Sequence, residues 1–208
     1  MPDANNSRKD LSASKKDTAE LLGVALALHQ SNRLDEAGTL YRSILKARTD
    51  HADALHLLGV IAQQRGRPEN AVELIERAVK ISPKEPLYHA NLAEAYRASG
   101  NLQAAVATGK RALELEPRRA ETFNNLGLAL KESGQAAEAL EHFETAIELN
   151  PFMPVSYENA GDLLFAGGRL YEALAIVREG LRLMPEAPKL MMSLDRIRQE
   201  IMRLETPE

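Results

Sequence analysis

Five histidines, His29, His51, His56, His89 and His142, have the widest chemical reach in this chain, yet no two sit four apart, the spacing that lays two imidazoles on one helix face around a metal. Asp50, His51, Asp53 and His56 come nearest to a cluster, but they straddle a turn and a helix start and read as a solvated turn. Gly109-Lys110 has the ending of a phosphate loop, whereas Ala104 stands where the first glycine is needed and no strand pattern precedes it. Asn5-Asn6-Ser7 fits a glycosylation sequon that would require secretion to be used. The absence of Cys excludes a disulfide framework, an iron–sulfur cluster, a thiolate zinc site and a Cys nucleophile. Arg118-Arg119 and the basic residues of the C-terminal segment are too few, in a chain with 26 basic and 30 acidic residues, to form a phosphate-binding stripe. These residues predict a protein that is not an enzyme, with no cofactor, no metal and no nucleic-acid partner.

The elements that carry the remaining residues are helical. Ala and Leu each occur 31 times, aromatics make up 4%, and Trp is absent, a composition that favours straight-chain packing between helices over pleated sheet. No apolar run approaches the ~18 to 20 residues that cross a bilayer, so no membrane insertion is expected. The start, MPDANNSRKDLSASKK, lacks a signal-peptide core, and the expected compartment is the cytoplasm.

A shift of 34 residues brings five segments into register without a gap: 18–51, 52–85, 86–119, 120–153 and 154–187. Position 20 of each is Ala37, Ala71, Ala105, Ala139 and Ala173, and position 8 is Ala25, Gly59, Ala93, Gly127 and Gly161. Position 15 is Asn32, Gly66, Gly100, Gly134 and Gly168, and position 32 is Thr49, Pro83, Pro117, Pro151 and Pro185. Each segment thus divides into two helices, the first ended by a residue that takes the left-handed backbone and the second by a proline. Small residues at positions 8 and 20 predict a close approach of the two helices around Leu58, Leu92, Leu126, Phe143 and Ile147. Pro86, Pro154 and Pro188 open first helices, where a missing N–H costs little. One hairpin cannot bury its apolar face alone, so neighbours stack into an all-α array. After Pro188, Leu190, Met191, Leu194, Ile197, Ile201 and Leu204 form one helical stripe, predicting a capping helix over 188–204 and a short tail at 205–208. Residues 1–17 are polar and aperiodic and are expected to be a disordered tail.

The spacing resembles the tetratricopeptide repeat (TPR) family across all five segments, most closely in AETFNNLGLALKESGQAAEALEHFETAIELNPFM at 120–153. The resemblance implies a right-handed superhelical solenoid of five helix-turn-helix repeats, with the first helix of each lining a concave groove for an extended peptide. Gly109 and Val177 depart from the large residue expected at position 24, and Thr49 and Asn32 make the first repeat the poorest match.

The same resemblance makes positions 2, 5, 6, 9, 12 and 13 the groove. Position 6 carries Asn91, Asn125 and Asn159 in three consecutive repeats, so three amides are expected in a row, each able to pair with a peptide main chain. The alternative is that each Asn bonds locally across the helices. Nearby groove positions hold Asn124, Glu94, Arg97, Lys131, Glu121 and Asp162, charges that either hold a partner's carboxylate or neutralise one another in water. Family members that capture the C-terminal carboxylate of heat-shock chaperones pair a basic position 2 with Asn at position 6, but here position 2 reads Ala19, Asp53, Leu87, Glu121 and Val155. In the first two repeats Leu22, Leu26, Leu57 and Val60 occupy groove positions, an apolar patch to be covered by a partner helix, a second copy in a homodimer, or residues 1–16. The other reading packs these side chains between the helices.

The predicted function is a non-catalytic scaffold or adaptor that binds an extended or helical segment of another protein. A second reading, from the likeness to the repeats of O-GlcNAc-type glycosyltransferases and bacterial repeat-containing sulfotransferases, is a substrate-recruiting module or partner subunit of a protein-modifying transferase. A third is an assembly factor for an envelope machine, which the lack of a signal peptide disfavours. The run from Met1 to a polar ETPE end favours a stand-alone protein.

Overall fold

The computed structural model describes residues 18–206, so the expectation for the tail at 1–17 lies outside the described residues. Helix α1 covers residues 18–30. It is followed by α2 (Leu34–Ala47), α3 (Ala52–Gln64), α4 (Pro68–Ile81), α5 (Pro86–Ala98) and α6 (Leu102–Leu115). Then come α7 (Ala120–Glu132), α8 (Ala136–Leu149), α9 (Pro154–Ala166), α10 (Leu170–Leu183) and α11 (Pro188–Glu205), with no strand among the described residues.

The 34-residue frame is visible in the backbone. Asn32 turns with φ 58°, and Gly66, Gly100, Gly134 and Gly168 turn with φ of 67°, 81°, 82° and 73°. A left-handed residue at this point lets the chain leave one helix and start the next within three residues, a conformation that Gly takes freely and Asn takes at some cost. At the far end, the residues before the prolines at position 32 take non-helical backbone, as with Ser82 (φ −128°, ψ 74°), which ends the second helix there.

The described residues form two compact units, divided between Ala95 and Tyr96, each with its own core. In the first, Tyr41, Ile44 and Ile61 are buried with Ala25, Ala37 and Ala54, while Leu22 and Leu57 pack against them. In the second, Leu126, Leu130, Phe143, Tyr157, Val177, Leu190 and Ile197 are buried together. Close helix approach is built from small-to-large pairs. A Cβ placed on Gly59 would lie 2.5 Å from Ile75 Cγ1, one on Gly127 2.6 Å from Phe143 Cε1, and one on Gly161 2.7 Å from Val177 Cγ2. Gly109 reverses the arrangement: the space in front of it is filled from α7 by Leu126, whose Cδ1 would lie 3.2 Å from an added Cβ. The missing large residue at position 24 is thereby compensated.

Helix α11 packs on α9 and α10, as a cap must, with Leu190 and Ile197 fully buried. The predicted stripe needs one correction. Met191 and Leu204 are 51% and 59% exposed, because the buried seam follows Leu190, Leu194, Ile197 and Ile201 and leaves those two on its flanks.

Replacing Gly127 by Ala forces its Cβ into the Phe143 ring and should lower stability by about 1–3 kcal/mol. Gly23 is helical and an added Cβ meets nothing within 4 Å. The Gly23→Ala variant should therefore be neutral or gain about 0.5–1 kcal/mol, and urea unfolding midpoints of the two variants provide the check.

Candidate functional site

In the second unit, α9 and α11 face each other across an open cleft of about 590 Å³. Helix α9 contributes Val155, Glu158, Asn159 and Asp162, and α11 contributes Lys189, Met192, Ser193 and Arg196. Each set has the i, i+3, i+4, i+7 spacing that places four side chains along one helix face. The two stripes therefore give the cleft apolar, amide, hydroxyl, acidic and basic groups within one opening, in the volume range of ligand sites. Arg196 pairs with Asp162, and its guanidinium lies over the Phe165 ring at 4.6 Å from the centroid. Glu158 is mostly buried, and desolvation pushes its carboxyl above the usual range against the pull of Lys189. The Lys189 ammonium stands 3.8 Å from Glu158 Oε2 with its side chain 77% exposed, so it is held only loosely.

At Asn91 and Asn159 the amide row takes the alternative form, with a bond across neighbouring helices. Asn124, expected at the groove, is only 4% exposed. Its Oδ1 accepts from Asn159 Nδ2 at 2.9 Å and from Ser156 Oγ at 3.3 Å, and its Nδ2 donates to Asn125 Oδ1 at 3.5 Å. Asn124 is thus a tie between α7 and α9 and not a surface contact. Asn159 remains half-buried at the cleft, with its Nδ2 committed to Asn124 and its Oδ1 without another bond among the described residues.

The first unit repeats the motif with different residues. Asn91 of α5, half-buried, places Nδ2 2.7 Å from His56 Nε2 of α3, which on a neutral ring accepts from the amide. His56 is 3% exposed and stacks on Tyr88 at 4.5 Å, while Tyr88 donates its hydroxyl to Asp53 Oδ1 at 2.5 Å. This corrects the reading of residues 50–56 as a solvated turn. His51 does sit at the turn, where its Nδ1 accepts from Ala54 N and caps α3, but Asp53 and His56 lie on α3 and bind α5. Burial, with a small contribution from the positive charge His29 can carry, lowers the His56 pKa from 6.5 to about 4, against the opposing pull of Asp53.

Other predicted residues divide between scaffold and surface. Arg97 pairs with Glu132 at 2.5 Å in the second unit, which spends the cation on the neighbouring helix. Lys131 lies half-buried in the last turn of α7, and Glu94 and Val60 are half-buried on α5 and α3. Leu22 and Leu57 pack against the first core, correcting their placement in an open patch, whereas Leu26 stays 39% exposed beside Leu21 at 38% and Val24 at 54%. Sequence reasoning missed Glu158, Lys189, Met192, Ser193 and Arg196. The signal was available: Pro188 stands 34 residues after Pro154, so α11 continues the frame and offers positions 2, 5, 6 and 9 as Lys189, Met192, Ser193 and Arg196. Among the described residues no His and acid group could hold a metal, and no helix is long and apolar enough to cross a membrane.

Three models described as tetratricopeptide repeat match residues 28–95, 86–151 and 124–188. A peroxisomal targeting signal receptor of Yarrowia lipolytica is 32% identical over 87 residues, 42% of this chain and 14% of that protein, so the chain spans a small part of that relative. A thermophilic TPR protein of Thermus thermophilus has 25% identity and a TM-score of 0.70, covering 86% of this chain and 98% of that one. YrrB, a TPR protein with an unusual peptide-binding site, has 20% identity and a TM-score of 0.69, covering 89% and 96%, and its likeness is one of fold.

Below pH 6.5 the unfolded His56 ring takes a proton that the folded ring refuses until about pH 4. The unfolded state therefore binds more protons in this window, and stability should fall as pH drops from 6.5 towards 4, by at most about 3 kcal/mol from this residue. Chemical unfolding at pH 7 and pH 5 should show a smaller loss in His56→Gln than in the parent protein.

Proposed function

Because this chain belongs to the tetratricopeptide repeat family, we propose that it is a non-catalytic scaffold holding an extended segment of another protein along its first helices, with the α9–α11 cleft as the principal seat. The observation that carries this reading is the pair of facing four-residue stripes around one cleft. Its apolar side chains, Val155 and Met192, are 37% and 71% exposed and offer anchoring area to a partner side chain. The free Asn159 Oδ1 accepts a main-chain N–H of the bound segment, and Asn91 Oδ1 offers the same in the first unit.

Lys189 supplies the basic position-2 residue that the five repeats lack, one helix beyond the Asn159 amide. An oxyanion of the partner, a C-terminal carboxylate or an acidic side chain, takes Lys189 from its loose contact with Glu158. The targeting-signal receptor and the peptide-binding YrrB among the similar proteins support a short peptide as the ligand class. On this reading Asn125, Lys131 and Asp162 border the path of the segment, and Asn124 and Arg97 hold the helices that form it.

The exposed Leu21, Val24 and Leu26 of α1 support contact with a second copy through the N-terminal repeats. Light scattering on the full chain should then report a dimer that Val24→Lys converts to monomer, and a monomeric parent protein ends this part of the proposal.

For the cleft, peptides selected from a random display library on the full chain should bind about tenfold more weakly to Asn159→Ala and to Lys189→Ala, each variant keeping its helical circular dichroism. Titration calorimetry reads the change. Unaltered affinity in both variants would remove the cleft from the mechanism, and unaltered affinity for C-terminally amidated peptides would leave the acidic side chain as the group Lys189 holds.

A further inference from the structure

A second cavity lies within the first unit, independent of the peptide cleft. It is an open pocket of about 180 Å³ among α2, α3 and α4, with Leu58, Ile61 and Leu74 as apolar lining and the exposed Arg42, Arg65, Arg67 and Asn70 as its polar groups. Two departures from the chain's own repeat pattern meet here. Position 14 is Ser31, Ser99, Ser133 or Gly167 elsewhere and Arg65 in this repeat. Position 21 is Val72, Val106, Leu140 or Leu174 elsewhere and Gly38 on α2.

Gly38 is buried, and a Cβ on it would lie 3.4 Å from Arg42 Nη1 and 3.8 Å from Ile61 Cδ1. The space a Val or Leu fills in the other repeats is here taken by a guanidinium lying along the α2–α3 seam.

The charges do not cancel. Arg65 Nη2 is 2.6 Å from Asp35 Oδ1, whose side chain is 92% exposed. Arg42 donates to the neutral Thr39 hydroxyl at 3.2 Å, and Arg67 has no side-chain partner among the described residues. Three guanidiniums against one carboxylate leave two positive charges beside the apolar side chains of the pocket. A carboxylate ligand would neutralise one of them; a phosphomonoester, carrying about −1.5 to −2 at neutral pH, matches both and accepts from planar guanidinium donors in pairs. We propose that this cavity binds the phosphoryl group of a phosphomonoester borne on an apolar stem, with Arg42 and Arg67 on the oxyanion and Leu58, Ile61 and Leu74 on the stem.

The full chain, labelled at Leu and Ile methyls, is titrated by NMR with phenyl phosphate, benzoate and inorganic phosphate. Phenyl phosphate should shift the Leu58, Ile61 and Leu74 methyls to saturation, at least about tenfold more tightly than either control. Arg67→Gln should weaken it by about tenfold or more, and Gly38→Val, which restores the residue type of the other repeats, should abolish it with the methyl spectrum still that of the folded chain. A phosphotyrosine peptide that binds more tightly than phenyl phosphate assigns the group to a protein partner, and one that binds no more tightly assigns it to a small ligand. Unshifted methyls, equal binding of benzoate, or indifference to both substitutions overturns the proposal.

Discussion

The close contact of a large second-helix side chain with a first-helix glycine sets the geometry on which everything else rests. Ile75 against Gly59, Phe143 against Gly127 and Val177 against Gly161 each occupy space that a single methyl would close. Burial of such a side chain contributes about 1.5–3 kcal/mol, more than the ~0 to 1 kcal/mol of an exposed ion pair. Packing therefore decides how two helices cross, and the charged pairs adjust to it. The same contact stands in three of the five 34-residue repeats, with Ala25 and Ala93 at the small position of the other two, and equivalent positions of successive first helices come to lie side by side within each unit.

That alignment produces a second, polar register. His56 with Asn91 and Asn124 with Asn159 join position 5 of one first helix to position 6 of the next, while His29 with Gln64 and Arg97 with Glu132 join position 12 to position 13. A buried polar side chain without a partner costs more than the hydrogen bond would contribute, so once Asn124 and His56 are buried their partners are no longer optional. Two of the three position-6 amides, Asn91 and Asn159, thus tie their helix to the preceding first helix, whereas Asn125 meets only its neighbour Asn124 among the described residues. The Nδ2 of Asn91 and of Asn159 makes that bond, and this fixes the direction in which each Oδ1 can accept. An amide oriented by its own scaffold binds a partner without first losing side-chain rotamer freedom, which favours pre-organised recognition over a loose polar surface.

Local chemistry was legible in the sequence because it is local. A left-handed residue between helices, a proline at a helix start and an Ala or Gly at a crowded seam each follow from the constraints on one residue and its near neighbours, and Gly134, Pro154 and Gly127 stand where those constraints demand. What depended on a neighbouring helix was read less well. Leu22 and Leu57 have the spacing of an exposed stripe but meet the core of the first unit, and Asp53 and His56 look like turn residues until α5 supplies Tyr88 and Asn91. The α9–α11 cleft was missed for a different reason: hydrophobic periodicity identifies the buried stripe of α11, and the cleft is formed by residues beside that stripe. Only the continued 34-residue frame carries that information.

The two unexpected glycines of the repeat pattern show how a departure can be read physically. Gly109 leaves a gap at position 24, and Leu126 of α7 stands in front of it, so the contact stays apolar. Gly38 leaves a gap at position 21, and the atoms that meet it are those of the Arg42 guanidinium together with Ile61 Cδ1. Arg42 stays exposed, so its stem can lie on this apolar surface while its head keeps water. The first departure is packing traded between helices. The second brings an exposed guanidinium to the place where the other repeats put a methyl-bearing side chain, which leaves its donors at the mouth of the pocket between α2 and α3.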